Sequence, residues 1–251
     1  MAGNQELGGK VAIVTGGGRN IGRAICLALA DAGASVVVNV RSNQTEAEAV
    51  VREVESAGGK AVAHLADIAD ASAVAKMADA ALKHFGRIDI LVCNAALRRE
   101  MPFAQMSHAE WREIMDVTLD GAFHCVKACL PALRQSGAGT VICIGGLSAY
   151  SGAKDRAHVV TAKAGIVGFA RALAHDLASD GITANCVVPG LIGTPRPKGA
   201  PEPAHHFTHG TISGERGTPG DVAATVRFLA GPAARYITGQ AIHVNGGAYL
   251  G

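Results

Sequence analysis

The chain has 251 residues, 49% of them hydrophobic and 18% charged, with a formal net charge of +2. That length suits one large α/β domain or two small ones, and that balance suits a packed globular core. The basic residues are scattered and form no nucleic-acid motif, and no run approaches the ~18 uninterrupted apolar residues that suggest a membrane span.

Short apolar runs alternate with helix-patterned stretches along the whole chain. Strands are expected at 11–14, 35–40, 61–66, 88–93, 140–144, 183–188 and 241–244. Helices are expected at 21–32, stopped by Gly33, at 46–57, ended by Gly58-Gly59, and at 71–85, ended by Gly86. Further helices are expected at 111–133, with a break near its start, at 158–178 and at 221–229. Strict alternation with strands apolar throughout predicts an α/β fold: one doubly wound parallel sheet of about seven strands, with helices on both faces. No linker or repeat divides the chain, so 1–251 reads as a single domain. The stretch 193–220, rich in Pro, Gly and His, interrupts the rhythm and reads as a substrate loop or lid.

Six cysteines, Cys26, Cys93, Cys125, Cys129, Cys143 and Cys186, form no CxxC pair and lie mostly in apolar runs. They read as buried thiols in a reducing compartment. With no apolar leader or cleavage pattern at the start, the expected location is the cytoplasm. No metal site is expected: Cys125 and Cys129 lack further ligands, and His205, His206 and His209 lack a helical face and a carboxylate partner.

The turn Thr15-Gly16-Gly17-Gly18-Arg19-Asn20-Ile21-Gly22 follows the first strand and opens the first helix. There, glycines remove the Cβ atoms that would block a pyrophosphate, and free amides with the helix dipole favour its oxygens. Gly16, Gly18, Arg19, Asn20, Ile21 and Gly22 are therefore expected to hold a dinucleotide. Asn20 stands where glycine is preferred, and asparagine both tolerates positive φ and serves as a helix N-cap. The second strand ends Asn39-Val40-Arg41-Ser42, without the acid that would bond a ribose 2′-hydroxyl. Arg41 with Arg19 can instead pair with a 2′-phosphate, which favours NADP(H) over NAD(H).

Together with Asp67-Ile68, Asn94-Ala95-Ala96, Lys163, Pro189-Gly190-Leu191-Ile192-Gly193-Thr194, Ile237 to Gln240 and Val244 to Gly247, this turn makes the chain resemble the short-chain dehydrogenase/reductase family over essentially its full length. Within it, the chain looks most like the bacterial 3-oxoacyl-carrier-protein reductases. The resemblance implies a Rossmann-type fold, with Asp67 and Ile68 at the adenine and Asn94 and Ala95 beside the cofactor ribose. It puts Lys163 on the nicotinamide ribose, Ile192 and Thr194 at the carboxamide, and Pro189 and Gly190 in the same segment. It also implies a homotetramer, or a dimer, built partly through the helices at 111–133 and 158–178.

The departures are as informative. Aligned on Lys163, the family's catalytic tyrosine is Val159, its serine is Gly146, its helix asparagine is Thr118, and Ala96 replaces the glycine of the Asn-Ala-Gly motif. Valine cannot donate the proton that carbonyl reduction needs. His158, Ser148 and Tyr150 are the local substitutes: His158 adjoins Val159 but is turned ~100° from it on a helix, and the other two lie in the loop expected to overhang the nicotinamide. Each also has a plain structural reading, a local hydrogen bond for His158 and a solvent-facing polar residue for the others. Arg98, Arg99, Lys154 and Arg156 suggest a basic mouth for an anionic substrate, or ordinary surface charge. Two functions follow: an oxidoreductase acting on a small carbonyl or alcohol through a rebuilt proton relay, or a disarmed scaffold that binds nucleotide or regulates.

Overall fold

The computed structural model describes residues 5–195 and 210–250. In chain order it forms β1 (Val11–Val14), α1 (Asn20–Asp31), β2 (Ser35–Val40), α2 (Gln44–Ser56), β3 (Lys60–Leu65), α3 (Ala71–Phe85), β4 (Ile90–Cys93), α4 (His108–Met115), α5 (Gly121–Gln135), β5 (Thr140–Ile144), α6 (Ser148–Ser151), α7 (Ala157–Asp176), β6 (Thr183–Pro189), α8 (Pro219–Ala230) and β7 (Ala241–Val244). All seven strands are parallel, in the order β3-β2-β1-β4-β5-β6-β7. The order reverses between β1 and β4, which opens a crevice at their carboxyl ends.

β1, β4, β5 and β6 are buried at every residue because helices cover both sheet faces. On one face, Ala12, Val14, Val36 and Val38 pack with Ile25 and Leu29 of α1, Val50 of α2 and Val226 of α8. On the other, Ile13, Leu91, Val141 and Val188 pack with Met77 of α3, Leu133 of α5 and Ile166 of α7. The β4 end of the sheet is pinned by Asp89, whose buried carboxylate accepts from the Val11 amide (2.9 Å) and bridges Arg87 (2.6 Å) and Lys10 (3.2 Å). Burial opposes its ionisation, yet Arg87, the Val11 amide and Lys10 outweigh that and hold its carboxyl below the usual range.

Local chemistry sets most helix ends. Asp70 caps α3 by accepting from Ser72 and Ala73 amides (2.8 and 3.2 Å), and Gly86 stops that helix at φ 79°. Ser107 with Glu110, and Thr218 with Asp221, form capping boxes on α4 and α8.

The expected helix over 111–133 is two helices. Residues Asp116–Asp120 form a π-turn between α4 and α5, with Thr118 buried inside it. At its exit Gly121 runs so close to α3's approach loop that a Cβ there would stand 2.7 Å from Ile68 Cδ1. The short helix α6 arises where a loop was expected, and the expected strand over 88–93 begins two residues later, at Ile90. The histidines His205, His206 and His209 of the expected lid lie outside the described residues. The far leg of that segment returns to the sheet: the Gly193 amide donates to the Gly217 carbonyl (2.8 Å) and Gly217 donates to Leu191 (3.1 Å).

Candidate active site

The crevice at the switch point is a cleft of about 490 Å³, lined by Gly16, Gly18, Arg19, Asn20, Ile21, Gly22, Arg41, Asp67, Ile68, Asn94, Ala95 and Thr194, among others. The structure thus brings together residues from five separate stretches of sequence. Its floor is the glycine turn. A Cβ on Gly22 would fall 2.0 Å from the Gly16 carbonyl oxygen and 2.7 Å from Asn94 Nδ2, so only glycine lets α1 begin this close to the turn. Gly16 takes φ 63°, with a Cβ position 3.0 Å from Ala95 Cα.

Like α5, α6 and α7, and unlike the capped helices α2, α3, α4 and α8, helix α1 carries no side-chain cap, and it has no acid in its first turn. Its first amides and its dipole are left for an external anion. The N-cap is Arg19, in extended backbone, so asparagine does not cap here; Asn20 is the first helical residue, and its φ of 49° uses its tolerance of the left-handed region. Arg19 and Arg41 both stand exposed at the rim. Glu46 of α2 also reaches the cleft there, with its Cβ near Gly18. This uncapped, glycine-floored cradle fits a dinucleotide pyrophosphate.

Asn94 does structural work behind the cleft. Its amide nitrogen Nδ2 donates to the carbonyls of Thr15 (2.9 Å) and Gly16 (3.1 Å), clamping the end of β4 to the glycine turn. Two residues with no expected role complete the frame. Thr15, fully buried, accepts at Oγ1 from the amides of Asn94 (3.0 Å) and Ala95 (3.1 Å). Asn39 donates to the His64 and Ala66 carbonyls (3.3 and 3.1 Å), fixing where Asp67 emerges. The signal for both was a polar residue closing an apolar strand, where side chain can replace strand as hydrogen-bond partner. Asp67 folds back on its own turn, accepting from the Ala69 amide (3.0 Å).

Pro189, Gly190 and Ile192 stand at the carboxyl end of β6. Gly190 donates to the Val244 carbonyl (2.9 Å), and a Cβ on it would meet Asn245 Cβ at 2.6 Å, so this end of the sheet closes tightly on β7. Ile192 bridges to Gly217, and Thr194 just beyond it reaches the cleft wall.

Lys163 rises from α7 to the end of β5, the strand beside β4. It is 5% exposed and its Nζ donates to the Ile144 carbonyl (2.6 Å). Burial first, then the Arg98 guanidinium, bring its pKa down from 10.5 to about 8, with Arg156 adding to the fall. Its stem passes the Gly146 position, where a Cβ would sit 3.7 Å from Lys163 Cγ, an ordinary contact. Val159, one turn earlier on α7, is 2% exposed and packs with Ile114, Met115 and Ala162 and against Leu97 and Trp111.

The three residues weighed as acid donors go to different places. His158 is fully buried, and no hydrogen bond of ordinary geometry reaches either ring nitrogen. Burial lowers its pKa, which favours the neutral ring. Tyr150 packs edge-on to His243 (4.6 Å between centroids) and tilts on Tyr249 (5.2 Å) under the β7 end; its buried hydroxyl has no hydrogen-bond partner, and burial raises its pKa. Ser148 opens α6, two residues after Gly146, and is half-buried.

The cysteines are all free and buried. Cys93, Cys143 and Cys186 lie side by side in register across β4, β5 and β6. Desolvation raises the pKa of Cys26, Cys125, Cys129 and Cys186, which makes these thiols poor nucleophiles. Among the described residues no group of three or more His, Cys, Asp or Glu is arranged to hold a metal ion, and no helix is long and apolar enough to cross a membrane.

Comparison with known proteins places these features. Residues 16–249 match the family model described as enoyl-(acyl carrier protein) reductase. The chain is 40% identical to a 3-oxoacyl-[acyl-carrier-protein] reductase of Synechocystis sp., covering 96% of this chain and 97% of that one. Among solved structures, a dehydrogenase/reductase from Sinorhizobium meliloti 1021 superposes with a TM-score of 0.92 at 34% identity, covering 100% of this chain and 99% of the other. A blue fluorescent protein from a metagenomic library, solved in complex with NADPH, superposes with a TM-score of 0.90 at 34% identity, covering 98% and 100%.

Proposed function

The chain belongs to the short-chain dehydrogenase/reductase family and is a nicotinamide-dependent oxidoreductase, and on that premise we propose that it uses NADP(H) to interconvert a small carbonyl compound and its alcohol, as a 3-oxoacyl reductase does, with Lys163 taking the place of the missing tyrosine acid. The observation that carries this reading is an amine with a pKa of about 8 at the carboxyl end of β5, next to a cradle built for a dinucleotide. A proton donor serves best when its pKa lies near the working pH, and a tyrosine in this family needs a lysine neighbour to get there. Here the lysine itself is in range.

A bound dihydronicotinamide would supply the hydride. The chain would supply the rest: the α1 amides and Gly16 to Gly22 would hold the pyrophosphate, Asp67 and Ile68 would border the adenine, and Asn94, Ala95 and Thr194 would border the ribose and ring. Lys163 Nζ gives its proton to the nascent alkoxide oxygen as the carbonyl is reduced, and takes it back in oxidation. His158 and Tyr150 serve this role poorly, since burial lowers the His158 pKa and favours its neutral ring, and burial raises the Tyr150 pKa away from the working range. Ser148 remains close enough in sequence to Gly146 to orient the substrate oxygen. Arg19 and Arg41, with no acid closing β2, support NADP(H) over NAD(H).

The test is direct. Purified protein with NADPH and a panel of short 3-oxo esters and ketones should oxidise cofactor, and NADH should do so less well. Lys163→Met should abolish turnover. Tight NADPH binding with no turnover on any carbonyl would instead favour the disarmed, nucleotide-binding scaffold that Val159, Gly146 and Thr118 suggest. In that case Gly146→Ser with Val159→Tyr should create ketone reduction where none existed.

A further inference from the structure

Charge at the adenosine end of the cleft is arranged around one glycine. A Cβ on Gly18 would meet Val40 Cγ1 at 2.8 Å, Glu46 Cβ at 3.2 Å and the Ala47 amide nitrogen at 3.6 Å. The first turn of α2 is therefore seated directly on the glycine turn and on the end of β2. Arg19 follows Gly18 in the chain and Arg41 follows Val40, so Arg19, Arg41 and Glu46 fan out from this one junction, and all three line the cleft. Neither arginine has a carboxylate partner among the described residues.

Glu46 leaves untaken the local role that its position offers. It is the third residue of α2, the place from which Glu110 in α4 and Asp221 in α8 reach back to the N-cap amide and close a capping box. In α2 the Asn43 side chain accepts from the Glu46 amide (3.2 Å), but no return bond forms. Among the described residues no hydrogen bond or ion pair holds the Glu46 carboxylate. The other acid lining the cleft, Asp67, is turned onto the Ala69 amide (3.0 Å). Glu46 is thus the acid left to act on whatever occupies the adenosine end.

We propose that Glu46 is a specificity-determining residue: its carboxylate faces the 2′ position of the adenosine ribose, so that the preference for NADP(H) given by Arg19 and Arg41 is held small and the protein also takes NAD(H). The acid absent from the end of β2 is supplied instead from the first turn of α2. With NAD(H) that carboxylate meets a neutral hydroxyl, a donor from which it can accept. With NADP(H) it meets a phosphate monoester carrying about −1.5 to −2 charge at pH 7, with like-charge repulsion in place of a hydrogen bond. Glu46 acts in this way only if the cleft is a dinucleotide site, the reading on which this role rests.

Calorimetry with NADP⁺ and NAD⁺, which differ only in the 2′-phosphate, tests the role without turnover. The native protein should bind NADP⁺ tighter than NAD⁺ by about tenfold or less, and Glu46→Gln, which keeps the shape and removes the charge, should raise that ratio about fivefold through tighter NADP⁺ binding. Glu46→Lys should raise it further. At 1 M salt, where the screening length falls to about 3 Å, the native and Glu46→Gln ratios should converge, which a role in packing alone would not produce. Undetectable NAD⁺ binding by the native protein, a ratio unchanged in Glu46→Gln, or a changed ratio that persists undiminished at high salt overturns the role of Glu46 and leaves the cofactor site standing. Tighter binding of NAD⁺ than NADP⁺ by the native protein, with the ratio still shifting on substitution, corrects the cofactor preference and upholds Glu46. No heat from either nucleotide at millimolar concentration removes both.

Discussion

Lys163 carries a large charge penalty in the folded chain. Burial and two neighbouring guanidiniums favour its neutral form, so its folded pKa of about 8 lies below its value in the unfolded state. Below pH 8 both states hold the proton and the fold bears the full cost, on the order of 3 kcal/mol. Between pH 8 and the unfolded value the unfolded chain holds more protons, so this contribution makes the fold more stable as pH rises. Lys163→Met should therefore raise Tm relative to the native protein at pH 7, by a margin that shrinks toward pH 10; differential scanning calorimetry across that range checks it. The same titration governs chemistry. With Lys163 as the acid, kcat for carbonyl reduction falls as pH rises through about 8, and alcohol oxidation rises over the same interval. A reduction rate flat from pH 7 to 9.5 would remove Lys163 from the proton path.

Among the helices and strands, the cradle depends on how closely α1 starts behind β1. Gly22→Ala places a methyl 2.0 Å from the Gly16 carbonyl oxygen, and that atom is backbone clamped by Asn94, so it cannot give way. The expected result is loss of dinucleotide binding by calorimetry, together with destabilisation of about 1–3 kcal/mol from overpacking. Gly146 is the opposite case. A side chain there meets Lys163 only at ordinary contact distance, so Gly146→Ser should leave Tm within about a degree of the native value. The β1–β4 junction depends on one carboxylate. Asp89→Asn keeps the shape and loses the charge that pairs with Arg87 and Lys10, and should cost about 1–3 kcal/mol in urea unfolding at pH 7. The folded pKa of Asp89 is depressed, so its contribution is present above the unfolded carboxyl value and is lost as pH falls through the folded one. Melts of the native protein and of the Asp89→Asn variant should therefore converge in acid.

Taken as one body, the chain turns its exposed large apolar side chains outward. Phe123 of α5 and Phe228 of α8 are 50% and 48% exposed, and Tyr236 stands free of cover within the chain. A homotetramer built partly through α5 and α7, as the family resemblance implies, would cover Phe123 on α5. Multi-angle light scattering should then give four times the chain mass, and a monomer peak at micromolar concentration would refute it.

The strand–helix alternation, the seven parallel strands and the glycine turn were all legible in the order of residues. These are local: each is written in periodicity or in turn residues. Element ends were legible where a cap marked them, as at Gly86, and the break expected near the start of the 111–133 helix is the π-turn Asp116–Asp120, whereas α6 was read as a loop. Folding alone settled which of the polar residues near Val159 meet. His158 and Tyr150 are each within reach of Lys163 along the chain, yet packing encloses His158 and sets the half-buried Tyr150 against His243 and Tyr249. Met101 and Asp155 lie 54 positions apart, yet a backbone hydrogen bond of 2.7 Å ties the strap after β4 to the loop before α7. No pattern along a chain encodes such a meeting, since electrostatic coupling depends on distance in space and on the dielectric around the charges, and both exist only after folding.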